Sequence, residues 1–137
     1  MTDYLVDNSV WALLVLGDPV VTARLRRVER APADIFVTCP PQVLEFCHSA
    51  RTPEDHEHYR QQICLGFPLE HAPDESFVLD IQGALRRSGL VRAAGPADIL
   101  IAAYAMANDA TVLTADHDFD HIAAVTDLKH EYLTPSS

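Results

Sequence analysis

Basic side chains, cysteine and glycine are all scarce in this chain of 137 residues. Lysine and arginine together number 10 against 20 acidic residues, which gives a formal charge of −10. That charge argues against a passive nucleic-acid-binding surface, because affinity for phosphate comes from lysine and arginine. The three cysteines lack CxxC spacing, which argues against a disulfide framework or a zinc site and favours buried thiols in a reducing cytoplasm. With only five glycines, the composition is not fibrous either.

Long apolar runs and an amino-terminal targeting segment are also missing. No run approaches the roughly 20 residues that a membrane helix needs. The start of the chain lacks the basic region followed by an apolar one that marks a secretory signal. The length suits one domain of ordinary size. We therefore expect a single cytoplasmic domain spanning residues 1–137, with no membrane segment.

Hydrophobic periodicity predicts short buried strands that alternate with helices. The strands are predicted at residues 4–6, 35–38, 67–71, 111–114 and 129–133. The helices are predicted at residues 10–16, 20–30, 42–50, 53–65, 74–88, 99–107 and 119–124. Asn8 and Ser9 are expected to cap the first of these helices. The alternation indicates an α/β protein whose parallel sheet carries helices on both faces.

Five acidic residues lie after predicted strands or at the start of neighbouring helices. Asp7 closes the first strand, and Asp116 and Asp118 follow the fourth. Glu45 lies about two turns beyond the second strand, and Asp98 begins the helix before the fourth. In open parallel sheets, sites form beyond the carboxyl ends of the strands, where the strand order reverses. If the first and fourth strands are neighbours, these side chains meet there.

A bound divalent cation would offset the repulsion between the carboxylates of such a cluster. Taken singly, Asp98 fits a helix-dipole acid, and Asp116 and Asp118 fit turn formers. A carboxylate buried at Asp7 or Glu45, however, costs several kcal/mol unless it is paired. Acids brought together also repel one another and raise each other's pKa values. Hard oxygen ligands without histidine or cysteine suit Mg²⁺ or Mn²⁺.

Four blocks of the sequence resemble those of PIN domains, and most of all the VapC-type toxins. The blocks are LVDNSV, PQVLEF, PADILIAAYAMAND and TVLTADHDF, which occur in the family's order over nearly the whole chain. The resemblance implies a PIN-like fold, with a five-stranded parallel sheet and helices on both faces. It places the family's acidic quartet at Asp7, Glu45, Asp98 and Asp116, an additional acid at Asp118, and supporting small polar residues at Ser9 and Thr114.

The resemblance also implies hydrolysis of RNA phosphodiester bonds with Mg²⁺ or Mn²⁺. Asp7, Asp98 and Asp116 are then the candidates for metal contact, and Glu45 for positioning or deprotonating the attacking water. Asp118 would support a second metal position. Such toxins are commonly homodimers and are inhibited by a VapB-type antitoxin, whose basic side chain would enter the acidic pocket. The sequence does not indicate which RNA is cut.

Other classes of protein also place acids at strand ends. A phospho-acceptor receiver domain needs a lysine after a late strand, whereas Lys129 lies before or within the last one. A haloacid-dehalogenase-like phosphatase needs a second aspartate two residues after its nucleophile, where this chain has Ser9. A PIN-like binding scaffold without catalytic activity is a further alternative, which the intact set of acids disfavours.

Two metal-binding patterns near the carboxyl terminus are interpreted as coincidence. The acids between Asp116 and Asp127 superficially match an EF-hand calcium loop, but His121 stands where that loop requires glycine. His117 and His121 have the i, i+4 spacing of zinc ligands, yet this spacing is more typical of an exposed helix pair.

Overall fold

The computed structural model describes residues 1–90 and 92–136, over which strands alternate with helices. The strands are β1 (Thr2–Val6), β2 (Asp34–Thr38), β3 (Phe67–Pro68), β4 (Thr111–Thr114) and β5 (Lys129–Tyr132). The helices are α1 (Asn8–Val15), α2 (Pro19–Arg30), α3 (Pro40–His48), α4 (Pro53–Ile63), α5 (Glu75–Arg87), α6 (Pro96–Ala107) and α7 (Asp118–Val125). No helix within these described ranges is both long enough and apolar enough to cross a bilayer.

The strands form one parallel sheet in the order β3-β2-β1-β4-β5. The chain therefore winds outward from β1 in one direction and then returns to build β4 and β5 on the other side. Leu5 of β1 lies opposite Val37 of β2 and Val112 of β4. This confirms the predicted five-stranded parallel sheet and the predicted neighbourhood of the first and fourth strands. The reversal of strand order lies between them.

Helices cover both faces of the sheet, as predicted, and each face has its own core. Adjacent residues of β1 point to opposite faces, as the pleat requires. Leu5 packs in the core beneath α5, α6 and α7, whereas Val6 packs in the core beneath α1 and α2. Helix α6 has the most buried positions of any helix in the described ranges, as its apolar sequence predicts, although Leu100 is exposed; its buried residues are Ile99, Ile101, Ala102, Ala103 and Ala105.

Several element ends differ from the prediction, and proline accounts for two of them. Helices α3 and α6 begin at Pro40 and Pro96 instead of residues 42 and 99, because proline fits the first turn, where no backbone N–H is needed. Strand β3 ends at Pro68 instead of residue 71, although the Leu69 N–H still donates to the Thr38 carbonyl at 2.8 Å. The prediction that Asn8 and Ser9 cap α1 was wrong: Asp7 is the capping residue, and its carboxylate accepts from the Ser9 N–H.

A buried glutamine connects β1 to the start of α3. Gln42 is 1% exposed; its Nε2 donates to the Val6 carbonyl at 2.6 Å, and its Oε1 accepts from the Cys39 N–H at 3.2 Å. The side chain therefore fixes α3, which carries Glu45, against the end of β1.

Replacing Gln42 with leucine should destabilise the protein by about 2 to 4 kcal/mol, because each buried backbone group that loses its partner costs roughly 1 to 3 kcal/mol. Urea denaturation measures the free energy of unfolding. The matched control is Gln61→Leu on the exposed face of α4, where the loss should stay within about 0.5 kcal/mol. Equal losses in the two variants would contradict a structural role for the Gln42 hydrogen bonds.

Candidate active site

A cleft of about 600 Å³ opens at the carboxyl ends of β1 and β4, where the strand order reverses. Its position is the one expected for a site in an open parallel sheet. Polar and acidic side chains dominate the lining, which consists of Asp7, Asn8, Ser9, Leu44, Glu45, His48, Asp98 and Asp116.

Asp7 lies at the bottom of this cleft. It follows the last residue of β1, and its backbone N–H continues the sheet by donating to the Leu113 carbonyl at 2.9 Å. The side chain is 3% exposed, and its Oδ2 accepts from the Ser9 hydroxyl at 2.6 Å and from the Thr114 hydroxyl at 3.2 Å. Burial raises the pKa of Asp7, although these hydrogen bonds act in the opposite direction. The carboxylate is held firmly in place but poorly solvated.

Ser9 and Thr114 also fix the loop that follows β4. The Ser9 hydroxyl accepts from the Ala115 N–H at 2.9 Å, and the Thr114 hydroxyl accepts from the Asp116 N–H at 2.9 Å. Each hydroxyl therefore contacts Asp7 on one side and the backbone of the loop on the other. The two residues set the position of Asp116 relative to Asp7.

Asp116 and Asp118 occupy the end of that loop and the first turn of α7. The Oδ1 of Asp116 accepts from the Asp118 N–H at 2.9 Å, which fixes the turn between them. Burial raises the pKa of Asp118, and the negative charge of Asp116 raises it further. The alternative reading as turn formers fits Asp116, whereas Asp118 is the first residue of α7, and both side chains join the acidic cluster.

Asp98 approaches from the opposite wall, in the first turn of α6. A helix amino terminus stabilises a carboxylate through its dipole. Here that stabilisation is outweighed, because the pKa of Asp98 is raised to about 7. Burial is the largest cause, followed by the charges of Asp7 and Asp116 and then those of Glu45 and Asp118. Asp98 is therefore the carboxyl group on which the charges of all the other acids in the cluster act.

Glu45 completes the cluster from α3, where it is half-buried. Burial raises its pKa first, and the charges of Asp7 and Asp116 raise it further. The helix begins at Pro40, directly after β2, so its second turn reaches the carboxyl end of β1. This placement explains how a residue 38 positions from Asp7 in sequence enters the same cleft.

The structure brings all five acids selected from the sequence together. One carboxylate oxygen from each of Asp7, Glu45 and Asp98 lies within 4.8 Å of the other two, and the same holds for Asp98, Asp116 and Asp118. Asp98 belongs to both groups. Two adjacent oxygen-lined positions therefore share one carboxylate, and none of the ion pairs within the described ranges supplies a positive side chain to either.

Asn8, Leu44 and His48 also line the cleft, although the sequence analysis selected none of them for the site. His48 follows Glu45 by three positions, and residues with that spacing share one face of a helix. The spacing was therefore an available signal for His48. Leu44 carried no comparable signal.

The receiver and EF-hand alternatives do not fit this geometry. Lys129 begins β5 and donates to Asp109, so it lies at the end of the sheet opposite to the acids. Asp118 and Asp120 belong to α7 and not to a loop, and the Asp120 carboxylate accepts hydrogen bonds from the His117 and His130 rings.

Fold and site together define a doubly wound α/β protein with an acidic cleft suited to divalent cations. The PIN domain family model matches residues 4–125. Ribonuclease VapC21 of Mycobacterium tuberculosis is 35% identical over 128 residues, which cover 91% of this chain and 89% of that protein. Ribonuclease VapC2 of the same species is 36% identical over 98% of this chain and 96% of its own length. The chain therefore belongs to the PIN-domain family, among its VapC ribonucleases.

Solved structures agree with the fold. VapBC2 from Rickettsia felis, crystallised with a DNA fragment from its promoter, gives a TM-score of 0.76 at 14% identity over 97% of this chain and 100% of the matched chain. VapBC-1 from nontypeable Haemophilus influenzae gives 0.73 at 18% identity over 96% and 98%. At these identities the likeness shows the fold alone.

Proposed function

We propose that this protein is a metal-dependent endoribonuclease and the toxin of a type II toxin–antitoxin module. The observation that carries the proposal is the convergence of five carboxylates from four separate segments at one end of the sheet, with Asp7 buried and the other four within reach of one another through Asp98. Relatives named as VapC ribonucleases, similar over nearly the full length of both chains, support the reaction class.

The donor set fits Mg²⁺ or Mn²⁺. Carboxylate oxygens are hard ligands, and the cluster contains no thiolate, which disfavours zinc. Burial raises the pKa values of Asp7, Glu45 and Asp98, and the charges of neighbouring acids raise those of Glu45 and Asp98 further. A bound cation would favour the ionised form of all three. Asp7, Asp98 and Asp116 are proposed as the metal contacts, and Asp118 as support for a second position beside Asp98.

In the proposed reaction, water attacks a phosphodiester of RNA in the cleft. A cation bound there would lower the pKa of the attacking water and stabilise the charge of the leaving oxygen. Glu45 holds that water and accepts its proton, a role that its raised pKa favours. Ser9 and Thr114 keep the Asp7 carboxylate aimed into the cleft through their hydroxyl groups. Because water attacks and not the ribose 2′-hydroxyl, the products should carry 5′-phosphate and 3′-hydroxyl ends.

The proposed partner is a VapB-type antitoxin. The toxin is proposed to act in the cytoplasm and to form a homodimer. The similar VapBC structures contain toxin and antitoxin together. A charge of −10 attracts a basic peptide. An arginine or lysine of the antitoxin would compete with the cation for the carboxylates of the cleft.

The test is cleavage of total RNA by the purified protein. We expect cleavage with Mg²⁺ or Mn²⁺, none in EDTA, and 5′-phosphate ends on the fragments. Sequencing of those ends after induced expression would identify the target RNA. Full activity in EDTA, or recovery of 2′,3′-cyclic phosphates, would contradict the mechanism. Absence of cleavage under all these conditions would favour the alternative of an inactive PIN-like scaffold.

A further inference from the structure

An aromatic pair lies beside the acidic cleft and takes no part in the proposed chemistry. The imidazole of His117 stacks on the phenol ring of Tyr132, with ring centroids 4.2 Å apart and planes inclined by 13°. The His117 side chain is 69% exposed. One face of the imidazole therefore covers Tyr132, and much of the remaining ring surface is open to solvent.

The pair lies at the same end of the sheet as the acids. Tyr132 ends β5 and is the register partner of Thr114, which ends β4 and hydrogen-bonds to Asp7. Neighbouring strands are about 4.8 Å apart. His117 stands between Asp116 and Asp118 in sequence, so the residues on both sides of it belong to the acidic cluster.

Hydrogen bonds hold the His117 ring in one orientation. Its Nδ1 lies 2.8 Å from Oδ2 of Asp120, and the other oxygen of Asp120 lies 2.7 Å from Nε2 of His130 on β5. These contacts tie the first turn of α7 to β5. A ring that is already oriented loses little conformational freedom when a ligand stacks on it.

We propose that His117 and Tyr132 form a stacking platform for one base of a single-stranded RNA whose backbone lies in the acidic cleft. The inference rests on the proposed ribonuclease function. Proteins that recognise single-stranded RNA stack unpaired bases on aromatic and histidine side chains. Stacking also supplies affinity without positive charge, which this chain needs because its cleft is acidic and its net charge is −10.

The test combines changes in the protein with changes in the RNA. The probe is a synthetic single-stranded RNA spanning a site that the wild-type protein cuts, together with versions that carry one abasic nucleotide at each position near the cut. His117→Ala should raise KM for the intact RNA about tenfold with little change in kcat, because stacking of one base is worth about 1 to 3 kcal/mol. One abasic RNA should raise KM for the wild type equally, and His117→Ala should then add nothing.

Matched variants separate stacking from a structural role. His117→Phe loses the bond to Asp120 but keeps an aromatic ring at the same position. Its KM should therefore be close to that of the wild type and not to that of His117→Ala. Tyr132→Phe should behave as the wild type, whereas Tyr132→Ala should resemble His117→Ala. The exposed His56 of α4 provides the control, since His56→Ala should leave KM unchanged. The wild-type arm with abasic RNA also remains informative if His117→Ala folds poorly.

The outcomes distinguish the two proposals. If His117→Ala changes KM by the same factor for intact RNA and for every abasic RNA, the platform is wrong, while metal-dependent cleavage by the wild type leaves the ribonuclease function standing. If the wild-type protein neither binds nor cuts RNA, both proposals are wrong.

Discussion

Replacing Asp98 with asparagine is expected to abolish RNA cleavage and, in the same variant, to raise the Tm measured without metal. Asp98 belongs to both oxygen-lined positions, so its replacement removes a proposed metal contact from each. We expect kcat/KM to fall on the order of 10²-fold or more, as for removal of one preorganised group from a site of this kind. Stability should change in the opposite direction, because asparagine removes the charge that four neighbouring carboxylates repel.

The control for this prediction removes the same charge elsewhere. Asp80 is exposed on α5, outside the cleft, so Asp80→Asn changes net charge equally. It should alter neither cleavage nor Tm. A gain of about 1 kcal/mol from Asp98→Asn would appear as a Tm increase of roughly 2 to 8 °C for a domain of this size. If Asp98→Asn keeps normal cleavage, Asp98 is not a metal contact; if it lowers Tm, the cluster is not electrostatically strained.

The convergence of Asp7 and Asp116 could be predicted from the sequence, because a parallel sheet brings the carboxyl ends of its strands to one edge. Asp7 follows an apolar strand, and Asp116 follows another; parallel strands end at the same edge, so the two meet once β1 and β4 are neighbours. Glu45 and Asp98 were harder, because their positions depend on the helix starts at Pro40 and Pro96. Their places relative to the second and fourth predicted strands made them candidates, and the resemblance to a known family then implied their roles.

What the sequence could not predict depends on register and on side-chain direction. The stack of His117 on Tyr132 requires β5 to pair with β4 so that Thr114 meets Tyr132, and nothing in the local pattern fixes that alignment. His117 was interpreted as one of an exposed helix pair with His121; it is exposed, but it precedes α7 and its hydrogen-bond partner is Asp120. The bridging role of Gln42 was equally hidden, since its partners are backbone groups.

Without metal, the protein should lose stability as the pH rises from about 5 to about 8. The pKa of Asp98 is about 7 in the folded protein against an ordinary value of 3.8, and the pKa values of Asp7, Glu45 and Asp118 are also raised. Between the two values of Asp98, the unfolded chain has released its proton while the folded protein retains it. The unfolded state therefore binds fewer protons, and the free energy of unfolding falls as pH increases. Above about pH 7 both states are ionised, and the full penalty is present.

Addition of Mg²⁺ should reverse this trend, because the cation competes with protons for the same carboxylates. We expect the Tm difference between Mg²⁺ and EDTA to be small near pH 5 and largest near pH 8. At a free concentration of about 100 times Kd, binding adds about 2.7 kcal/mol to the free energy of unfolding, an increase of several degrees in Tm. Thermal denaturation across this pH range measures both effects, and Asp98→Asn should flatten both curves. An equal Mg²⁺ shift at both ends of the range would mean that the cation binds somewhere other than the strained carboxylates, since only their protonation makes binding depend on pH in this way.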